Sequence, residues 1–146
     1  MNEFLSQYGV FFLYIGGVSA IFIGVAIFNY KKMKNTTAKF LTENPNASKV
    51  FLTTKGFITS EAVTVHTVND TKPILFTDKG KSGFYSIPGD VKVEISYSYT
   101  RPGIMYKTVT TSTDMVTKVL KTEPNKSYLL GFNRKEESFT FEEILN

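Results

Sequence analysis

The spacing of apolar and polar positions changes regime twice along the chain. Residues 8–28 hold no charged residue, no Pro, Asn or Gln, and only one Ser. At about 1.5 Å of rise per residue, a helix over this stretch spans roughly 30 Å, the thickness of a bilayer's hydrocarbon core. Core helices of soluble domains carry shorter apolar runs, of about 10–14 residues. A cleaved signal peptide needs a basic start, a short apolar stretch and small residues at the cut. Here Met1 to Gln7 contains no Lys or Arg, and the run ends in the bulky Ile27-Phe28-Asn29-Tyr30. The pattern predicts an uncleaved, single-pass transmembrane helix.

From residue 49 the pattern is that of strands. Residues 50–54 are β-branched and aromatic and stop at Gly56, and residues 63–68 alternate and stop at the turn pair Asn69-Asp70. Residues 73–77 and 83–87 flank a tight turn at 78–81. The clearest strand is 91–99: Val91, Val93, Ile95, Tyr97 and Tyr99 alternate with polar residues. Period two means one face on a core and one in water, whereas a helix would scatter these side chains around its circumference. Arg101-Pro102-Gly103 turns the chain, and further strands follow over 106–113, 116–120, 128–132 and 138–141. Turn chemistry at intervals of about 8–12 residues predicts an all-β fold, an antiparallel β-sandwich of about seven to nine short strands. Residues 31–48 read as a basic juxtamembrane linker, with Thr36-Thr37, Pro45 and Ser48 as turn formers and one short helical turn near 38–41. The expected organisation is therefore an anchor over 1–30, the linker over 31–48 and the sandwich over 49–146.

Charge adds direction. The net charge is +4, but residues 1–30 hold one acid and no base, and residues 31–40 hold four lysines. The rest carries 13 bases and 12 acids. Such a balance offers no positive stripe for nucleic acid. Lys31, Lys32, Lys34 and Lys39 are expected to meet anionic headgroups, at on the order of 1 kcal/mol each near the surface. By the positive-inside rule they place the C-terminal domain in the cytoplasm. The inverted topology would make it an extracellular or envelope-facing domain. Gly16, Ala20 and Gly24 recur at every fourth position, and such a face lets two membrane helices approach closely. Self-association, or pairing with another membrane helix, is expected there. Tyr8 and Tyr30 fall near the two interfaces, where aromatic belts form.

The order strand, Ile87-Pro88-Gly89-Asp90-Val91, long alternating strand, then Val119-Leu120 and Asn125-Lys126-Ser127-Tyr128 resembles the small PEGA-type sandwich domains of bacterial proteins. The likeness covers roughly residues 60–132, and Asp90 stands where the eponymous motif has other residues after Pro and Gly. It implies a compact sandwich tethered at a bacterial membrane or surface, with no catalytic residues to transfer.

No catalytic, metal or cofactor motif survives inspection. There is no Cys for a disulfide framework, thiolate site or nucleophile. Gly80-Lys81-Ser82 resembles the end of a phosphate loop, but Leu75 stands where that motif needs Gly and no helix pattern follows. His66, the sole histidine, has no nameable partner for metal or acid–base work. Glu136-Glu137 and Glu142-Glu143 read as solvated acids. The stretch 97–106 places three tyrosines, Arg101 and Met105 around one turn, and Tyr and Arg dominate interaction hot spots. Tyr99, Arg101, Ile104 and Tyr106 are the candidate partner-binding residues, although Tyr97 and Tyr99 also complete the core stripe. The expected function is a membrane-anchored, non-enzymatic interaction module with a lipid bilayer and a protein as partners, and with no cofactor, nucleic acid or identified small-molecule substrate. The rival is an envelope-facing domain that binds glycan or peptidoglycan.

Overall fold

The structure, a computed structural model, describes residues 2–56, 59–104 and 107–145, without the side chains of residues 2–10, 12 and 13. The chain divides into two compact units, Met1–Lys39 and Phe40–Asn146.

One helix, α1 (Asn2–Glu43), runs from the first unit into the start of the second. Its part Tyr14–Glu43 is long and apolar enough to cross a membrane, and none of it is buried within the chain. Tyr14, Ile21, Phe22, Ile23 and Phe28 are all exposed. A helix that is apolar all round and uncovered by its own chain has the surface of a membrane span. Gly16, Ala20 and Gly24 are exposed along it, and a side chain added at Gly16 or Gly24 would meet nothing. The helix continues through residues 31–43, where the sequence reading placed only one short turn. Thr36 explains part of this, because its hydroxyl donates to the Lys32 carbonyl at 2.9 Å instead of drawing the backbone into a turn. The helix stops where Pro45 disfavours helical geometry at Asn44, whose amide nitrogens both donate to the Phe40 carbonyl.

Among the described residues the second unit holds ten strands: β1 (Ser48–Leu52), β2 (Thr54–Lys55), β3 (Ser60–Val68), β4 (Ile74–Asp78), β5 (Lys81–Ser86), β6 (Gly89–Pro102), β7 (Thr108–Ser112), β8 (Val116–Thr122), β9 (Ser127–Asn133) and β10 (Ser138–Ile144). One more strand is present than the sequence suggested, because the two-residue β2 is too short to show a period. They form two sheets. One has the order β10-β9-β1-β5-β4; the other runs β2-β3-β6-β7, with β8 also on β6. The pairing of β1 with β9 is parallel, Lys49 opposite Ser127 through Leu52 opposite Leu130. That corrects the expectation of a wholly antiparallel fold. Such a pair needs a long crossover, and strands β2–β8 supply it where the sequence offers no helix.

Turn chemistry sets the β4–β5 hairpin and the tight turn, closed by a Val68–Thr71 bridge, that ends β3. Asn69-Asp70 and Lys79-Gly80 both take positive φ, the geometry of the two-residue turn that suits strand twist. Strands β7 and β8 are one interrupted partner of β6. The register passes from Ser98 opposite Ser112 to Ile95 opposite Val116, a one-residue slip over 113–115. A second irregularity falls at His66. His66 is exposed and hydrogen-bonds the Ser96 hydroxyl at 2.8 Å.

A single core draws on both sheets. Val50, Phe84, Tyr128 and Leu130 come from one; Val63, Val65, Val91, Val93, Ile95, Tyr97 and Leu120 from the other. Gly83 is fixed by this packing, since a Cβ there would lie 2.4 Å from the Val50 carbonyl oxygen.

Candidate functional site

Three inward-facing stripes run along the core; two end in an arginine, and the third carries a lysine before its last residue, Val116. On β6 the stripe is Val91, Val93, Ile95, Tyr97, Tyr99, Arg101; burial is complete at Val93 and Ile95, partial at Tyr99 and lost at Arg101. On β9 it is Tyr128, Leu130, Phe132, and the same alternation carries on to Arg134 beyond the strand. On β8 it reads from the other end: Thr122 and Leu120 are buried, then Lys118 is exposed. The stripes end in an open groove of about 730 Å³ lined by Tyr97, Tyr99, Arg101, Lys118, Phe132 and Arg134, among others.

The groove floor is aromatic. Tyr97 and Phe132 stack with centroids 4.2 Å apart, and Phe139 meets Phe132 edge-on at 5.0 Å. The Arg134 guanidinium lies 3.9 Å from the centre of the Tyr99 ring, a cation–π contact. One of its nitrogens, Nη1, donates to Glu61 Oε1 at 3.3 Å. Glu61 reaches this point because β3 sets it opposite Tyr99. The Tyr97 hydroxyl is the one buried side-chain polar atom without a hydrogen-bond partner among the described residues. Burial pushes its pKa above the usual tyrosine value, and the Glu61 charge adds to the shift. Arg101 and Lys118 make no ion pair among the described residues, and Asp114 and Glu137 also line the groove.

The candidate residues separate accordingly. Tyr99 and Arg101 share the groove. Ile104 is fully exposed on the loop beyond β6, and Tyr106 lies outside the described residues. Lys31, Lys32, Lys34 and Lys39 are exposed on α1. Sequence reasoning missed Lys118, Phe132, Phe139 and Arg134. A signal for Arg134 was present: Tyr128-Leu130-Phe132-Arg134 keeps the same period-two run into a base as Tyr97-Tyr99-Arg101. The scattered acids do not converge. Glu143 pairs with Lys126 at 2.9 Å, and Glu137 occupies a turn position with positive φ. Among the described residues no group of three His, Asp or Glu side chains is placed to hold a metal ion. The groove combines aromatic surface with the side chains of Arg101, Lys118 and Arg134. No protein-family model, curated protein or solved structure matches this chain.

Proposed function

We propose that the protein is a membrane-anchored, non-enzymatic binding module, with α1 crossing the bilayer and the two sheets packed as a sandwich that takes a protein partner in the groove. The observation that carries this reading is the groove itself: aromatic rings and arginines, the residue types of binding hot spots, brought together from three strands and the turn after β9. The apolar, uncovered surface of α1 supports the anchor.

Helix continuity refines the part given to the lysines. If the apolar span ends at Phe28, Lys39 stands about 16 Å beyond it along the helix axis. Each headgroup layer is only roughly 5–8 Å deep. Lys31, Lys32 and Lys34 are then the headgroup contacts, and Lys39 contributes less. By the positive-inside rule, their position favours a sandwich on the cytoplasmic side.

The glycan-binding alternative is less well supported. A sugar stacks on open aromatic faces, whereas Tyr99 has one face covered by Arg134 and Tyr97 one face covered by Phe132. The test places a photo-crosslinking residue at Thr111, on the groove wall, in the full-length chain in native membranes. Expected are retention in the membrane after alkaline carbonate washing, protection of the C-terminal unit from protease added to intact cells, and a discrete protein adduct lost in Tyr99→Ala/Arg101→Ala. Release by carbonate defeats the anchor; absence of any protein adduct defeats the binding module.

A further inference from the structure

The groove has a property that its aromatic floor does not explain. Arginines stand at the ends of two inward-facing stripes, where a sandwich ordinarily continues its apolar core or closes over. Arg101 and Lys118 have no carboxylate partner among the described residues, and Arg134 holds Glu61 through one contact at 3.3 Å. A guanidinium presents a fork of five donors that suits a carboxylate held by two bonds, so most of the donor capacity here is unused. Tyr97 adds its unpartnered hydroxyl at the floor.

One wall of the groove is an open sheet edge. β7 pairs with β6 through Ser98 to Pro102 and with no other strand among the described residues. Its sequence, Thr108-Val109-Thr110-Thr111-Ser112, holds no charge and no Pro. Exposed edges are usually blunted by Lys, Pro or a bulge, because unpaired N–H and C=O groups invite another strand. β8, the next segment of the same edge, is protected in that way by Lys118 and Lys121; β7 is not. Val109 and Thr111 stand opposite Arg101 and Tyr99, on the side that turns into the groove.

We propose that the groove receives an extended, acidic segment of a partner protein, which adds as a strand to β7 and turns a carboxylate inward to Arg101 and Arg134. This rests on the reading of the second unit as a partner-binding module and specifies what that module binds. Main-chain pairing to the edge supplies affinity, and the alternate side chains that enter the groove supply specificity. A strand added beside β7 lies about 10 Å from β6, so an inward glutamate and the Arg101 side chain meet over β7.

The test uses the full-length chain in nanodiscs of uncharged lipid and three fluorescent peptides, a Thr-Glu alternating heptamer and its Gln and Lys counterparts, read by anisotropy. The Glu peptide should bind at least about tenfold more tightly than the Gln peptide, the scale of one charge-assisted contact. N-methylation of alternate backbone nitrogens in the Glu peptide should abolish binding. Arg101→Glu, at an exposed position, should leave the melting temperature unchanged and shift the preference to the Lys peptide. Equal affinity for the Glu and Gln peptides, or undiminished binding of the N-methylated peptide, overturns the inference. If either result accompanies a persistent Thr111 crosslink to a membrane partner, the module reading stands and only its acidic strand falls. If the crosslink is absent as well, both fall.

Discussion

The two ends of the second unit solve the same problem in opposite ways. At the end where β1 starts, polar groups are buried and bonded. The Ser48 hydroxyl donates to the Glu123 carbonyl at 2.6 Å, the Glu123 amide donates to the Tyr128 hydroxyl at 2.8 Å, and the Ser86 hydroxyl meets Thr122 at 3.4 Å. Lys126 then bridges Glu123 and Glu143 at 2.7 and 2.9 Å on the outside. At the other end the core runs out into rings and arginines, with Arg101 unpaired among the described residues and the Tyr97 hydroxyl buried without a partner. A buried polar group is normally satisfied, so a closed end is what folding alone favours. An open end of this composition is what binding favours, and natural chains break local rules at such places.

The contrast is tested most severely between the two ends, at Leu130. Its side chain is fully buried, and Leu130→Ala should cost about 2–5 kcal/mol of unfolding free energy in chemical denaturation. A loss under 1 kcal/mol would mean that the core does not bear on stability as its burial implies. Phe132→Ala, one step further along the stripe, should lose less stability but remove the floor of the groove.

Ser48→Ala probes the closed end alone. It removes a fully buried hydroxyl and leaves the Glu123 carbonyl with the Lys126 amide, at 3.4 Å, as its donor, at a cost of about 0.5–1.5 kcal/mol. Tyr97→Phe is the matching experiment at the open end. It removes a hydroxyl that has no partner to lose, so thermal stability should stay level or rise slightly. A fall as large as that of Ser48→Ala would show that the Tyr97 hydroxyl is bonded after all, and that the two ends do not differ.

How much of this was legible beforehand follows from the same geometry. The β6 stripe is readable because it alternates without a break from Val91 to Tyr99 and only its polar half meets water. The Pro88-Gly89 break, the Asn69-Asp70 turn and the Lys79-Gly80 turn are readable because positive φ restricts the residue types that fit. The parallel β1–β9 pair was not, because nothing local to residues 48–52 encodes a partner at 127–130. The groove was half legible. Tyr99 and Arg101 lie within one stripe and show up together, whereas Arg134 and Phe132 join them only once two sheets are assembled. Helix through 31–43 was missed for a third reason: Thr36 carries turn propensity, but within the helix its hydroxyl is satisfied by the Lys32 carbonyl and does not compete for the backbone.

The smallest effect separates the ends by pH. At the closed end, the Lys126 ammonium holds the Glu123 carboxyl below the usual carboxylate range, first by hydrogen bonding and then by charge. A carboxyl with a lowered native pKa adds stability above its unfolded value, and that stability disappears as pH falls through the native one. Lys126 is raised above the usual lysine value by its bonds to Glu123 and Glu143, so its own share is present at neutral pH and is lost only as pH rises through the native pKa. Both groups are exposed to solvent, and the effect is correspondingly small. Melting temperatures of the parent chain and Lys126→Gln should differ slightly at pH 7 and converge below about pH 4. Alkali reaches both ends. Tyr97, raised chiefly by burial, favours the folded state below its unfolded pKa near 10, and that advantage goes as pH climbs through the native value. Tyr97→Phe should therefore flatten the alkaline limb of the stability profile and leave the acid limb untouched, while Lys126→Gln acts on both. An acid limb that changed with Tyr97 would mean that the carboxylates near the groove, Glu61 foremost, carry stability at the open end too.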